Sequence, residues 1–270
     1  MTRFVLFAAA LFAWATVSAA AQDEASAPGE HSKIGITVST GLDYSSGRYG
    51  DTQSTDTLVG LNSVTFAKGN FQFIVSMPYL TITGPAYAVV GAGGVPVIIR
   101  PKAGSSATER AGWGDLGLST LYTIPAEDFY DFEITLTGRT KIATANSSKG
   151  LSTGATDFGF SVDVSRQLDD WGPFVTLGYS IPGSPSFYAF NDAPSFSVGT
   201  SYQISDSIFL IGSYDFDGSI SSSLPDAQQI FSSASWVLDD HWTATAYAEF
   251  GLSSGAPKIG TGLVLSWKIP

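Results

Sequence analysis

Cysteine is absent from the 270 residues. That excludes a disulfide framework and any thiolate nucleophile or metal ligand. Charge is scarce: Asp, Glu, Lys and Arg make up 14% of the chain, against about 25% in an average soluble domain. Basic residues are scarcer still, 13 against 24 acidic, for a net charge of −11. A nucleic-acid binder needs a basic stripe, so nucleic acid is not expected as a partner. The two histidines, His31 and His241, are far apart and cannot assemble the usual zinc sets; no metal or cofactor is expected. Long apolar runs are missing too. Beyond residue 21 nothing reaches the ~18 residues of a spanning helix, and the nearest stretch, residues 84–99, is interrupted by Gly and Pro. What is present is 44% hydrophobic residues and 13% aromatic residues, with a mean hydropathy of +0.15. That is enough apolar surface to oppose disorder, and it points to a chain that faces lipid.

Residues 1–21 read as a secretory signal. Arg3 supplies the positive start, residues 4–17 the apolar stretch, and Ala19 and Ala21 a cleavage site before Gln22. An uncleaved membrane anchor is the competing reading; the run ends in small residues with no basic stop. Residues 22–32 form a short polar tail, expected to be flexible.

The remainder, 33–270, alternates with period two, the mark of half-buried strands. Ile259, Thr261, Leu263, Leu265, Trp267 and Ile269 fall on one face, against Lys258, Gly260, Gly262, Val264, Ser266 and Lys268. Trp242, Ala244, Ala246, Ala248 and Phe250 oppose Thr243, Thr245, Tyr247 and Glu249. Phe158, Phe160, Val162 and Val164 oppose Asp157, Gly159, Ser161, Asp163 and Ser165. Twelve strands are predicted, over 33–44, 57–66, 70–82, 113–124, 131–143, 155–167, 173–182, 194–204, 207–216, 226–237, 241–251 and 257–269. Most reach the 9–11 residues that cross a bilayer at a tilt.

Short turns alternate with longer loops rich in Gly, Ser and Pro. Several short turns are Asp-led: Asp169-Asp170-Trp171, Ser205-Asp206 and Asp239-Asp240-His241-Trp242. A membrane-spanning sheet must close on itself, because lipid cannot satisfy an open edge. The expected fold is therefore all-β, a transmembrane antiparallel up-and-down β-barrel of about 12 strands. The Trp residues near strand ends, including Trp113, Trp171, Trp236, Trp242 and Trp267, read as interfacial girdles. A soluble β-sandwich or lipocalin-like barrel also alternates, but its outer face should carry Lys, Glu and Arg. The expected place is the bacterial outer membrane, with its lipid and lipopolysaccharide as surroundings.

Within residues 111–182, Gly112-Trp113-Gly114-Asp115-Leu116 opens a strand, Gly150-Leu151-Ser152-Thr153-Gly154-Ala155-Thr156-Asp157 precedes another, and Leu177-Gly178-Tyr179 closes the region. In these stretches the chain resembles the phenol-degradation meta-pathway family of outer-membrane barrel proteins. The Pro and Gly which that family carries after the strand ending at Thr140-Lys141-Ile142 are replaced here by Ala143-Thr144-Ala145. The resemblance implies a pore-forming barrel for small molecules, aromatic or otherwise apolar compounds among them.

Two places could carry chemistry. A symmetric register across loop 144–154 sets Lys141 opposite Asp157 and Thr135 opposite Asp163. The preceding turn brings Asp115 beside Arg139 or Lys141. Asp115, Glu133, Arg139, Lys141, Asp157 and Asp163 are therefore expected to line the pore. Opposed cross-strand charges stabilise by about 0.2–1 kcal/mol each, so this is either a structural ion-pair network or a charged constriction that selects permeants. The second place is loop 83–112, which carries Tyr87, Val89, Val90, Val97 and Ile98. Long loops without structure of their own are uncommon and often functional. This one is expected as an inward plug, an apolar entry patch, a mobile exterior loop, or an extra hairpin above the membrane. No Ser–His pair of a barrel hydrolase is visible.

The expected function is a non-enzymatic outer-membrane channel for passive uptake of a small-molecule permeant. A structural or adhesive barrel without transport is the alternative, and an outer-membrane hydrolase a more distant one. Permeant and oligomeric state are left open.

Overall fold

The computed structural model describes residues 33–85, 88–90, 96–98, 107–185, 189–221 and 224–270. The expected signal and tail, and Tyr87, lie outside them. Sixteen strands are described: β1 (Gly35–Gly47), β2 (Thr55–Lys68), β3 (Phe71–Ser76), β4 (Tyr79–Pro85), β5 (Ala88–Val90), β6 (Pro96–Ile98), β7 (Ala107–Trp113), β8 (Leu116–Ile124), β9 (Glu133–Ile142), β10 (Asp157–Ser165), β11 (Trp171–Ile181), β12 (Ala193–Ser205), β13 (Ile208–Asp217), β14 (Ala227–Val237), β15 (Trp242–Gly251) and β16 (Ile259–Lys268).

Sequential antiparallel pairing from β8 to β16, with β16 returning to β1 and β1 pairing with β2, closes the sheet. Two staves of the barrel are broken strands. β2 pairs with both β3 and β4, β3 pairs with β8, and β4 with β7. The breaks lie side by side, at Met77-Pro78 and at Gly114-Asp115. Pro78 has no N–H for the ladder, and its carbonyl instead accepts the Gly114 N–H at 2.8 Å. Counting β3–β4 and β7–β8 as one stave each, the fold is a closed antiparallel barrel of twelve strands.

Burial follows the parity of each strand and is inverted relative to a soluble protein. On β10, Phe158, Phe160 and Val162 are exposed while Asp157 and Ser161 are buried. On β11, Val175 and Leu177 face out and Thr176 is buried. On β16, Leu263 is 60% exposed and Ser266 only 7%. A wall of Leu, Phe and Trp side chains around a hydroxyl-rich interior is the pattern lipid demands. Aromatic pairs gather toward strand ends: Trp242 stacks on Trp267 with centroids 6.0 Å apart, and Trp171 lies 4.6 Å from Tyr202.

One rim carries the short turns, including Gly69-Asn70 with Gly69 at φ 54° and Asp206-Ser207. The other carries the longer loops. Two expectations need correction. The glycine-rich stretch 112–116 interrupts a stave that already starts at Ala107, and β4 continues to Pro85. So the expected loop 83–112 is shorter, and it contains the antiparallel pair β5–β6, a separate two-stranded sheet. It is not a loop without structure of its own. Val89, Val90, Val97 and Ile98 lie on this hairpin.

Candidate functional site: the lumen

The predicted register of the charged hairpin is the observed one: Lys141 lies opposite Asp157 and Thr135 opposite Asp163. Lys141 Nζ sits 2.9 Å from Asp115 Oδ2 and 3.0 Å from Asp157 Oδ2. All three residues are buried. The break at Gly114-Asp115 turns Asp115 out of the ladder and lets its carboxylate gather a loop. Its Oδ1 accepts the N–H groups of Thr144 and Ala145 at 3.0 and 2.9 Å, and its Oδ2 accepts the Ser152 hydroxyl at 2.6 Å. Lys141 Nζ also donates to Thr153 Oγ1 at 3.3 Å, and Asp157 Oδ1 accepts the Gly183 N–H at 2.9 Å.

This ion triad therefore anchors the loop 143–156 inside the long-loop rim. The loop turns through a short 3-10 element, Ser147–Lys149, capped by Gly150 at φ 70°. It then buries Leu151 against the inward faces of β2 and β4. Leu151, Val59, Leu80 and Ile82 form an apolar cluster, 0–4% exposed, with Leu61 and Ala145 against it. The inward segment was not among the sequence candidates. Its signal was readable all the same: Leu151-Ser152-Thr153 between two glycines, next to a strand end carrying Lys.

Arg139 departs from the expected grouping. Its electrostatic partner is Asp217 on β13, away from the β8–β10 triad. Glu133 and Asp163 lie near the short-turn rim on β9 and β10 and are electrostatically coupled. Thr176 Oγ1 donates to Asp163 Oδ2 at 2.7 Å.

The opposite wall holds inward carboxylates that the sequence candidates omit: Asp43 on β1, Asp215 and Asp217 on β13, and Glu249 on β15. Glu249 is in electrostatic range of the other three. The Tyr247 hydroxyl donates to Asp43 Oδ2 at 2.8 Å, Ser197 Oγ donates to Asp215 Oδ1, and Gln229 Nε2 donates to Glu249 Oε2 at 3.4 Å. Strand parity reveals them, since Ser213, Asp215 and Asp217 share a face, as do Thr245, Tyr247 and Glu249. Tyr247 reaches Asp43 across Gly262: a Cβ there would collide with the phenol ring. Closer to the short turns the interior is partly filled by Ile74, Phe174, Phe209 and Val264, all at most 5% exposed.

Among the described residues no group of His, Asp and Glu has metal-ligand geometry.

Several solved structures share the architecture. An outer-membrane channel from Pseudomonas putida F1 matches with a TM-score of 0.70 at 10% identity, over 90% of this chain and 100% of that one. The translocator domain of the autotransporter NalP from Neisseria meningitidis matches at 0.50 and 10% identity, over 87% and 88%. No family model matches the chain, and no curated protein does. The likeness is one of fold. Together with the apolar exterior of a closed barrel, it places the chain in the bacterial outer membrane.

Proposed function

We propose that the barrel is a channel for passive passage of small molecules across the outer membrane. The observation that carries this reading is the inverted wall: buried Asp, Ser and Thr side chains face a polar interior while Leu, Phe and Trp face lipid. Twelve strands fall between small filled barrels and open sixteen-stranded porins, so the passage is narrow. With the Lys141 ammonium held between Asp115 and Asp157, the triad holds the entrance loop rather than sorts permeants. Arg139, Glu133 and Asp163 stand outside that triad as the other charged groups expected along the lumen. Membership of the phenol-degradation meta-pathway family, and with it aromatic or apolar permeants, is part of this proposal.

A specific observation favours a second reading. A loop fastened inward by an ion triad and an apolar cluster also suits a closed, structural barrel. Planar-bilayer recording separates the two, because a closed barrel gives no conductance. Liposome swelling then ranks the permeants. Faster swelling with uncharged aromatic compounds than with sugars of similar size supports the aromatic assignment, and equal rates remove it.

A further inference from the structure

We infer that the lumen is a cation-selective path, and that its selectivity resides in a slanted row of polar and acidic side chains climbing the wall from β8 to β14. The inference rests on the channel reading and adds to it a preference among charged solutes for small monovalent cations, inorganic ions and organic ammonium groups alike.

The row follows from register. Thr123 pairs with Thr135, Thr135 with Asp163, Asp163 with Thr176, Thr176 with Ser197, Ser197 with Asp215, and Asp215 with Gln229. Each has the inward parity of its strand. Ladder neighbours lie perpendicular to the strands, and the strands of such barrels tilt, so the row cannot stay level. Six steps of about 4.8 Å at a tilt of about 40° climb roughly 18 Å, most of a ~25 Å apolar band. The ends agree with this. Thr123 lies next to the short turn 125–132, whereas Gln229 lies next to the long-loop segment 218–226. Glu133 flanks the lower end, and Glu249, Asp217 and Asp43 flank the upper.

Hydrogen bonds along the row orient it: Thr123 and Thr135 hydroxyls meet at 3.2 Å, Thr176 serves Asp163, Ser197 serves Asp215, and Gln229 serves Glu249. These donors take only part of the carboxylates' capacity. Three buried carboxylate oxygens have no hydrogen-bond partner among the described residues: Asp157 Oδ2, which is ion-paired with Lys141, and Glu133 Oε1 and Asp217 Oδ1, which flank the row. Glu133 is only 4% exposed. A buried carboxylate oxygen without a donor is costly unless a cation or water comes to it. The counter-charges are few. Lys141 is committed to Asp115 and Asp157, Arg139 faces the row through Asp217, and Arg110 on β7, away from the row, donates to the Pro85 carbonyl at 3.4 Å. A narrow lumen in which one sign of charge predominates concentrates the opposite ion.

The purified full chain in planar bilayers under a KCl gradient tests this through the reversal potential. The expected result is a several-fold preference for potassium over chloride. It should fall toward unity in Asp163→Asn/Asp215→Asn and rise in Arg139→Gln. Asp240→Asn, which removes the same charge from a turn, should leave it unchanged. Heat-shifted migration on gels confirms that each variant is folded, and Glu133→Gln serves if the double variant is not. Replacing potassium by methylammonium asks whether organic cations share the path. Conductance with no preference or with chloride preference, or a preference indifferent to Asp163, Asp215 and Glu133, overturns the row's role while leaving the channel standing. No conductance at all removes the channel reading and the inference together.

Discussion

On the wall built by β8, β9 and β10, one cation is enclosed by two carboxylates at 2.9 and 3.0 Å, and five further hydrogen bonds tie the group to surrounding loops. Across the lumen, Glu249 lies within electrostatic reach of Asp43, Asp215 and Asp217, with Arg139 as a counter-charge acting on Asp217. Both walls are drawn from the same repertoire of inward polar positions. The first spends its one cation and its hydrogen-bond donors on its own carboxylates and fixes a loop. The second leaves acceptors open, which is useful only if something mobile supplies the missing positive charge. Charge count alone does not separate an anchor from a conduction surface; the number of protein donors already spent on each carboxylate does.

The sharpest way to break this comparison is Lys141→Met. It strands Asp115 and Asp157 together, and removing one partner of a buried ion pair costs about 3–5 kcal/mol. Urea unfolding in detergent should show a loss of that order, with larger or noisier conductance as loop 143–156 is released. A variant as stable as the parent would mean the triad is no anchor. Next comes Leu151→Ala, which empties the apolar half of the same anchor. For a buried leucine about 2–5 kcal/mol is typical. Conductance should rise here too, with ion preference unaltered, because no lumenal charge has changed.

The barrel was legible because lipid outside and water inside impose period two on nearly every strand. The register of β9 and β10 followed from the turn between them, and it placed Lys141 against Asp157 without a structure. Less legible was anything that depends on distant strands. Asp43 and Tyr247 meet only because β1 closes on β16 and Gly262 leaves room for a ring. Arg139 is in electrostatic range of Asp217 on β13, which nearest-neighbour pairing does not reveal. The inward loop was hidden for a different reason. Its stability comes from Asp115, freed by a strand break, and Gly114-Asp115 alone reads as a strand opening. The alternation of short and long connectors is equally strong whether a loop folds in or out.

Gly262→Ala sharpens the comparison on the acidic wall. The added methyl meets the Tyr247 ring, and overpacking of this kind costs about 1–3 kcal/mol. The ring must swing away from Asp43, adding another under-served carboxylate to that wall. Thermal unfolding should fall modestly while potassium preference holds or increases; a lowered preference would separate Asp43 from the conduction surface.

The smallest effect is expected outside the lumen, where a carboxylate is satisfied wholly by backbone. Asp239 Oδ1 accepts the N–H groups of His241 and Trp242, both at 2.8 Å, in the turn between β14 and β15. These donors, His241 foremost, hold its carboxyl below the ordinary value of 3.8. A depressed value in the folded state means the carboxylate stabilises the fold above the unfolded value and ceases to do so as pH falls through the folded one. Asp239→Ala should therefore lower the thermal midpoint slightly and evenly at neutral pH. The gap to the parent should close only once the pH drops below about 4, where an unfolded aspartate is already protonated. Thermal unfolding of both proteins across that range decides it. A gap that persists undiminished through strong acid would mean that the side chain's shape, rather than its charge, caps the turn.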